Sequence, residues 1–525
     1  MTTARRSTGS GGIGLIFVVL TVSGQGCGGN GSDEPKFVRT PTCPFGMAGD
    51  HVKCGVVVVP AFHEGGEGLD GPILHLAVAV VEGPNRNTFP DAVVVLAGGP
   101  GGGAVDSAAR LAQEQTSLFG GRDVVFIDQR GTGHSLPRLG CTFTETAPPN
   151  RAALLPGQDA HELTASDRAE LVQCHAKLSA ELNHSLSAYR TVENADDIDW
   201  VRRALRYRQW NLLGGSYGTR LALEVMRRHS GGVRSAVIDS VLPPQVDLLA
   251  TAGPLWAAAF EGLFTRCAAS ADCMPDLRDR FFAAIDALDA NPVEIQQGAL
   301  HKIGGRELVA ALQHSLYRPF GHSVAPLIIA AAAAGQLNSV AEFIDVSNNL
   351  DSISLPMYFS VLCADEAPFT DRGKFDAAFA GLEDWRRLLF DVSFISVCAN
   401  WPVTPADPTA NTAVVSDVPT LVASGTLDPV TPPAWGQLAQ ASLSRSYHIE
   451  VSNAAHGAID GECAVGIMEQ FLNAPDVTPD TRCTTNLEPL RFYRGPSAAQ
   501  IPEHVPSFDL RQLMIVEKTH GTFLR

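Results

Sequence analysis

What this 525-residue chain has little of removes several classes of function at once. None of its 11 cysteines is paired at CxxC spacing, so the thiolate pairs that hold structural zinc are missing. There is no GxxxxGK[ST] string, and so no phosphate-cradling loop of that kind. Positive charge is scarce: 39 Lys and Arg face 56 Asp and Glu, a net charge of −17. Such a surface offers nucleic acid no basic face and anionic lipid no electrostatic attraction. Internal repeats and long low-complexity segments are absent as well. What remains is an ordinary globular composition, 45% hydrophobic and 18% charged, in a chain long enough for a large core and a substantial insertion.

The first thirty residues stand apart. Arg5 and Arg6 precede the apolar run "IGLIFVVLTV" and the small-residue stretch "SGQGCGGNGSDEP". A charged start, a short apolar run and small residues at a cleavage point describe an export signal, expected over 1–26, with a linker over 27–40. Ten apolar residues are half of the roughly 20 that a bilayer span requires, so no transmembrane helix is expected in the mature chain. Cys27 resembles the lipidated cysteine of bacterial lipoproteins, although Gly24 replaces the usual aliphatic residue, and a lipid anchor at Cys27 and plain secretion are both open. Setting Cys27 aside leaves ten cysteines, an even number suited to disulfides in an oxidising compartment. Neighbour pairing is the simplest connectivity: 43–54, 141–174, 267–273, 363–398 and 463–483.

Short β-branched runs bounded by Gly, Pro and Asp read as buried strands: "GVVVVP" at 55–60, "ILHLAVAVV" at 73–81, "DAVVVLAG" at 91–98 and "DVVFIDQRG" at 123–131. The stretch 101–121 can form a helix, and a second helix is expected over 191–209. In that second helix Thr191 is the expected N-cap, and Ala195, Ile198, Val201 and Leu205 share one face. Strand "WNLLGG", a turn at Ser216, helix "TRLALEVMRRH" and strand "VRSAVIDSV" follow. Such alternation predicts an α/β fold, a mostly parallel sheet with helices on both faces. From 252 to 413 the pattern turns helical and alanine-rich, and strands resume with "VPTLVASGTLDP" and "RSYHIEVSNAAHG" before a helix near 462–473. The expected organisation is a first core part over 41–251, a helical insertion over 252–413, a second core part over 414–485 and an unassigned tail over 486–525.

The chemistry starts at "GGSYG". A serine hydroxyl is a poor nucleophile until a base takes its proton and a third group orients that base. Ser216 lies between a strand and a helix, the context of a nucleophile elbow, with Gly214 and Gly218 relieving the crowding. The partners should follow in the order acid, then histidine. Asp428 lies just beyond one strand and His456 just beyond the next. Asp239 also ends a strand, but Asp428 is on the strand immediately before the histidine strand, so Asp239 reads as structural. His134 precedes the serine, the wrong order for a base in this arrangement. For the developing oxyanion, the backbone N–H groups of Tyr217 and of Gly99, in "LAGGPGGG", are the expected donors.

In this order, "GGPGGG", "DQRGTGHS", "GGSYGT", "SGTLDPVTP" and "AAHG" resemble the α/β-hydrolase family of proline iminopeptidases and tripeptidyl aminopeptidases, over roughly residues 40 to 485. The "GGPG…DQRG" pair sets this branch apart from lipases and esterases that share only GxSxG. The resemblance implies an α/β-hydrolase fold, with a large helical cap inserted before the strand that carries the acid. Carried over residue by residue, it implies Ser216 as nucleophile, His456 as base, Asp428 as its orienter, Gly99 and Tyr217 as the oxyanion hole, and Asp128 and Arg130 as structural residues beside the site. No metal or other cofactor is implied. "LCAD" at 362–365 and "CANWP" at 398–402 resemble the larger, secreted, disulfide-bearing relatives. Ala97 departs from the His or Asn that often opens the glycine motif, and the tail has no counterpart, which leaves substrate identity open.

An aminopeptidase must hold a free α-ammonium, and a cation taken from water needs a carboxylate partner. Asp365 and Glu366, beside the expected Cys363–Cys398 bridge in the cap, are the candidates, whereas Asp196–Asp197 and Glu383–Asp384 read as helix-surface charge. The expected function is an exported serine exopeptidase, an aminopeptidase of tripeptidyl or prolyl type acting on peptides through an acyl-enzyme. The alternative is a carboxylesterase or amidase using the same triad on small non-peptide acyl substrates; a free-amine requirement separates them. A non-catalytic envelope binding protein would leave a complete triad idle.

Overall fold

The computed structural model describes residues 34–45, 51–64, 68–114, 118–141, 165–297, 299–344, 353–389, 393–485 and 489–493. The expected export signal, Cys27 and the start of the linker lie outside them. The β-branched runs form strands β1 (Phe37–Arg39), β2 (Val52–Pro60), β3 (Ile73–Val81), β4 (Val93–Leu96), β5 (Val124–Ile127), β6 (Trp210–Gly215) and β7 (Val233–Asp239). Between them run helices α1 (Ser107–Glu114), α2 (Ala165–Glu181), α3 (Thr191–Ala204) and α4 (Tyr217–His229). The insertion holds α5 (Leu248–Ala269), α6 (Leu277–Ala290), a hairpin of β8 (Val293–Gln297) and β9 (Ala299–Ile303), then α7 (Gly305–Leu316), α8 (Pro319–Ala333), α9 (Leu355–Asp365), α10 (Arg372–Ala378), α11 (Glu383–Leu389) and α12 (Ser393–Ala399). The chain then returns through β10 (Thr420–Gly425), α13 (Pro433–Gln440), β11 (Ser446–Val451) and α14 (Gly461–Asn473).

Nine strands join one sheet in the order β1-β2-β3-β5-β4-β6-β7-β10-β11. The β1, β2 and β3 pairings are antiparallel, and every pairing from β5 to β11 is parallel. β4, β5 and β6 are buried along their whole length, because a parallel strand is covered on both faces. Strand alternation divides them: Leu212 joins Ile198 of α3 and Val225 of α4 in one core, while Leu213 joins Leu111 of α1 and Phe471 of α14 in the other.

The insertion has a hydrophobic core of its own, in which Phe260 stacks on Trp385 with ring centroids 5.4 Å apart. α5, at 22 residues, is the one described helix long and apolar enough to cross a bilayer, yet it packs Phe260, Leu263 and Phe264 into this core. It begins at Leu248, four residues before the expected start of the insertion, because the Asp247 carboxylate caps the Ala250 N–H. The β8–β9 hairpin is absent from the helical expectation; its Ile295 and Ile303 are buried against the surrounding helices. Of the expected tail, residues 489–493 are described: Phe492 is buried in the same core, and the Tyr493 N–H donates to the Ser323 carbonyl at 3.2 Å. All five disulfides join sequence neighbours in the simplest connectivity.

Two local expectations change. Thr191 is the first residue inside α3 rather than its N-cap, and its N–H is taken by the Asp365 carboxylate, which arrives from α9. Asp196 and Asp197 are buried, not surface charge. Asp196 pairs with Arg228 and His229, and Asp197 pairs with Arg130 and His63. Helical position set their place on α3; the cations that cover them come from other segments.

Candidate active site

Ser216 is the only residue from Trp210 to Met226 that is not buried. It sits between β6 and α4 at φ 56° and ψ −126°, a left-handed strain that a non-glycine residue keeps only when its surroundings impose it. The surroundings here are backbone. Ser216 N–H donates to the Asp239 carbonyl at 3.0 Å, and the Ser216 carbonyl accepts from the Thr219 hydroxyl at 2.6 Å. A Cβ at Gly218 would lie 2.1 Å from the Leu96 carbonyl oxygen, so only glycine lets α4 approach β4 this closely. The Ser216 side chain makes no capping hydrogen bond to α4, which leaves its hydroxyl uncommitted to the helix.

Asp428 and His456 meet beyond the ends of β10 and β11. His456 Nδ1 and Asp428 Oδ2 are 2.9 Å apart, and both side chains are buried. The other carboxylate oxygen accepts the N–H groups of Val430 at 3.0 Å and Thr431 at 2.8 Å. Thr431 Oγ1 donates to Asp428 Oδ2 at 2.7 Å and lies 3.1 Å from His456 Nδ1. Burial alone would raise the Asp428 carboxyl; the His456 ring and the Thr431 donors outweigh it and hold the group below the usual carboxylate range. The local signal for Thr431 is an Asx-type turn at Asp428, a pattern too common in loops to single the threonine out.

Asp239 is engaged by backbone donors of the histidine loop. Its carboxylate accepts the N–H groups of Ala458 at 2.7 Å and Ile459 at 2.9 Å, while the Ser240 hydroxyl accepts from Gly457 at 2.7 Å. The end of β7 therefore grips the loop that carries His456. Burial pushes the Asp239 carboxyl up to about 6, against the pull of these donors. This agrees with the structural reading of Asp239 and shows what it supports.

The glycine loop after β4 is pinned from three sides. Asp128 accepts the N–H groups of Ala104, Val105 and His134 at 2.7, 2.9 and 2.7 Å, Gln129 donates to the Ala97 carbonyl, and Ser354 of the cap donates to the Gly101 carbonyl. Gly99 itself is exposed at φ +114°, a backbone conformation that side chains rarely adopt. Tyr217 is buried as the first residue of α4, its hydroxyl 3.0 Å from that of Thr191. Arg130 is fully buried, its guanidinium on Asp197 at 2.7 Å and on the carbonyls of Ala61 and Ala188, as befits a structural residue. His134 sits on the rim, paired with Asp106 at 2.8 Å.

Asp365 and Glu366 require correction. They were expected to present carboxylates to a substrate ammonium, but they are 2% and 5% exposed and committed to partners inside the protein. Asp365 caps α3 at Thr191 with a 3.0 Å hydrogen bond. Glu366 meets Arg220 of α4 at 2.8 Å, and Arg220 also reaches Asn411 at 2.6 Å. Burial pushes the Glu366 carboxyl up to about 7, with Arg220 opposing and Asp365 adding to the push. The pair fastens the cap to α3 and α4, and a carboxylate already neutralised by a guanidinium holds little attraction for a second cation.

The cap also reaches the histidine, which nothing in the local sequence announces. His456 N–H donates to the Tyr317 carbonyl at 3.2 Å, and the Tyr317 ring stands at 86° to the imidazole with centroids 5.2 Å apart. Among the described residues no cluster of side chains is arranged to hold a metal ion.

Two family models match the chain, one for the alpha/beta hydrolase fold over residues 91–272 and one for TAP-like proteins over residues 390–483. The first span contains Ser216, and the second contains Asp428 and His456. Serine protease Hip1 of Mycobacterium tuberculosis is 25% identical over 418 residues, 72% of this chain and 76% of that protein. Tripeptidyl aminopeptidase of Streptomyces lividans is 29% identical over 201 residues, 37% of this chain and 36% of that protein. Carboxylesterase B of Mycobacterium tuberculosis is 26% identical over 464 residues, 82% of this chain and 86% of that protein.

Proposed function

The chain is a serine hydrolase that belongs to the α/β-hydrolase superfamily, among relatives of the tripeptidyl aminopeptidases, and from that premise we propose an exported serine exopeptidase that removes N-terminal residues from peptides. The observation that carries the proposal is Ser216: a strained, accessible serine between buried neighbours, at the same sheet edge as a buried Asp428–His456 pair. Ser216 Oγ attacks the scissile carbonyl as His456 takes its proton. Asp428 holds the tautomer through Nδ1–H and steadies the imidazolium that forms. The N–H groups of Tyr217 and Gly99 receive the oxyanion. His456 then returns the proton to the leaving amine, and water releases the acyl group by the same steps in reverse order. The five disulfides support export to an oxidising compartment, with Cys27 as the candidate lipid anchor.

The exopeptidase assignment needs a group that reads the free amine, and Asp365 and Glu366 are not assigned that role here. A carboxylesterase reading keeps one specific support, the carboxylesterase B relative that matches 82% of the chain. The test compares wild type and Ser216→Ala on a free-amine peptidyl anilide, its N-acetyl derivative and a simple acetate ester. Cleavage confined to the free-amine peptide, lost in Ser216→Ala, is expected. Fast ester cleavage that ignores the amine would establish an esterase, and undiminished activity in Ser216→Ala would remove Ser216 from the chemistry.

A further inference from the structure

The two backbone donors expected at the oxyanion sit on different elements: Tyr217 opens α4, and Gly99 lies in the loop after β4. Such a donor serves catalysis only if its N–H is already aimed where the charge develops. The core holds the Gly99 loop near its two ends, through Gln129 on the Ala97 carbonyl at 2.9 Å and through Asp128 on the N–H groups of Ala104 and Val105. The middle of the loop is held from the cap. Ser354 N–H donates to the Gly101 carbonyl at 2.9 Å, and Ile353 bridges Gly102 in antiparallel fashion. At the other side of the same peptide group, Gly102 N–H donates to the Gly98 carbonyl at 3.3 Å. One peptide plane is thus fixed twice, its carbonyl by the cap and its N–H by the loop. Gly99 rests on that plane: a Cβ there would lie 3.0 Å from Gly101 N and 3.2 Å from Gly102 N.

Ser354 is itself placed by its side chain. Its hydroxyl donates to the carbonyl of buried Leu139 at 2.8 Å and accepts the Met357 N–H at 3.3 Å, as the N-cap of α9. One residue therefore starts a cap helix, ties that helix to the core and holds the glycine loop. The contact is backbone against backbone: a Cβ at Gly101, where φ is +101°, would lie 2.7 Å from the Ser354 carbonyl oxygen. The far end of α9 is fastened as well. Asp365 takes the Thr191 N–H, and Glu366 meets Arg220, about one turn into α4 from Tyr217. α9 is a strut between the two elements that carry the donors.

We propose that Ser354 is a positioning residue, a cap-borne brace that keeps the Gly99 N–H aimed at the oxyanion. The proposal rests on the acyl-transfer reading above, with Ser216 as nucleophile and Gly99 as donor. It makes the cap part of the catalytic apparatus as well as a cover. Without the Ser354 N–H the Gly101 carbonyl loses its cap partner, and the peptide plane beneath Gly99 can rotate. A misaimed donor weakens the tetrahedral intermediate more than the bound substrate, so the loss falls on kcat and spares KM. Amides and esters pass through the same oxyanion and should lose alike.

The experiment compares wild type, Ser354→Thr, Ser354→Ala and Ser354→Pro in turnover and in binding an aldehyde and the matching primary alcohol. The aldehyde forms a hemiacetal with Ser216 whose oxygen takes the oxyanion position, whereas the alcohol has no carbonyl to attack. Both carry the acyl group of whichever substrate, anilide or ester, the wild type turns over. Proline suits the backbone of Ser354, at φ −79° after the bridged Ile353, and removes the N–H together with the hydroxyl; alanine removes the hydroxyl alone. For Ser354→Pro, kcat should fall about 10- to 100-fold with KM within about 3-fold of wild type. Its aldehyde Ki should rise about 10-fold or more while the alcohol Ki stays within about 2-fold. Ser354→Ala should lose about 3- to 5-fold in the aldehyde-to-alcohol ratio, and Ser354→Thr should stay within about 2-fold. Unchanged kcat in Ser354→Pro, equal weakening of aldehyde and alcohol, or a Ser354→Thr as impaired as Ser354→Pro would each overturn the proposal. If Ser354→Pro does not fold, an unmoved ratio in Ser354→Ala overturns it. Ser216→Ala, run alongside, keeps the two readings apart: turnover surviving in that variant refutes the nucleophile, whereas the inhibitor ratio across the Ser354 series tests the brace.

Discussion

A single hydroxyl joins the two groups that must act together in the proposed mechanism. Thr431 Oγ1 donates to Asp428 Oδ2 and lies within hydrogen-bond reach of His456 Nδ1, while its N–H occupies the other carboxylate oxygen. Hydrogen bonds to a charged group are worth about 1.5–3 kcal/mol, and removal leaves the buried carboxylate short of a donor. Thr431→Val keeps the shape and the backbone N–H but deletes the hydroxyl, and should lower kcat/KM by about 10-fold or more. Thr431→Ser should stay within about 3-fold of wild type. Steady-state kinetics on one peptidyl anilide decides this; an active Thr431→Val would reduce the hydroxyl to packing. The expected residues and this missed one differ in how local their signals are. Ser216, Asp428 and His456 announce themselves by strand, turn and order, whereas a threonine three residues after an aspartate is common in turns of every kind.

At the scale of elements, the loop between β11 and α14 is held by the end of β7. The Asp239 carboxylate accepts two of its N–H groups, and Ser240 accepts a third. Burial raises this carboxyl from its ordinary 3.8 to about 6. Between those values the folded protein holds a proton that the unfolded chain has released, so stability falls as pH rises through that window. The cost of ionised Asp239 is complete above about pH 6 and amounts to ~3 kcal/mol for a shift of that size. Asp239→Asn lacks this titration. We predict that the Tm of wild type, taken relative to that of Asp239→Asn, rises as the pH is lowered from 7 to 4; a pH-independent difference would contradict the assignment. The same scale explains why Asp365 and Glu366 were misread. Arg220 touches the Asp365 carbonyl from 145 residues away, and no window of sequence reports a contact of that separation.

Over the whole molecule, core and cap are joined by contacts that converge near the active site. Glu366–Arg220 and Asp365–Thr191 fasten the cap to the helix after Ser216 and to α3. The Tyr317 turn docks on His456, and Ser354 docks on the glycine loop. A last contact comes from the far end of the described chain. The Cys463–Cys483 bridge ties the segment after α14 back to that helix, and Phe492 then enters the core of the cap. Phe492→Ala should lower stability by about 3 kcal/mol, read as a shift in the urea midpoint. A midpoint within error of wild type would mean that the segment rests on the cap without supporting it.

The sequence by itself determined the strands of the parallel sheet, the elbow at Ser216 and the order of acid and histidine, while the pairing of neighbouring cysteines, its simplest connectivity, was fixed by the structure. All of these rest on short-range chemistry: alternating apolar residues, turns that only small residues allow, and loops short enough to close. Only the tertiary structure decided which carboxylates are neutralised, which loop Asp239 supports, where residues 489–493 pack, and that a cap tyrosine faces His456. A period in the sequence says which face of an element is buried. It carries no information about what that face will be buried against, because the partner is chosen by the packing of elements far apart in the chain.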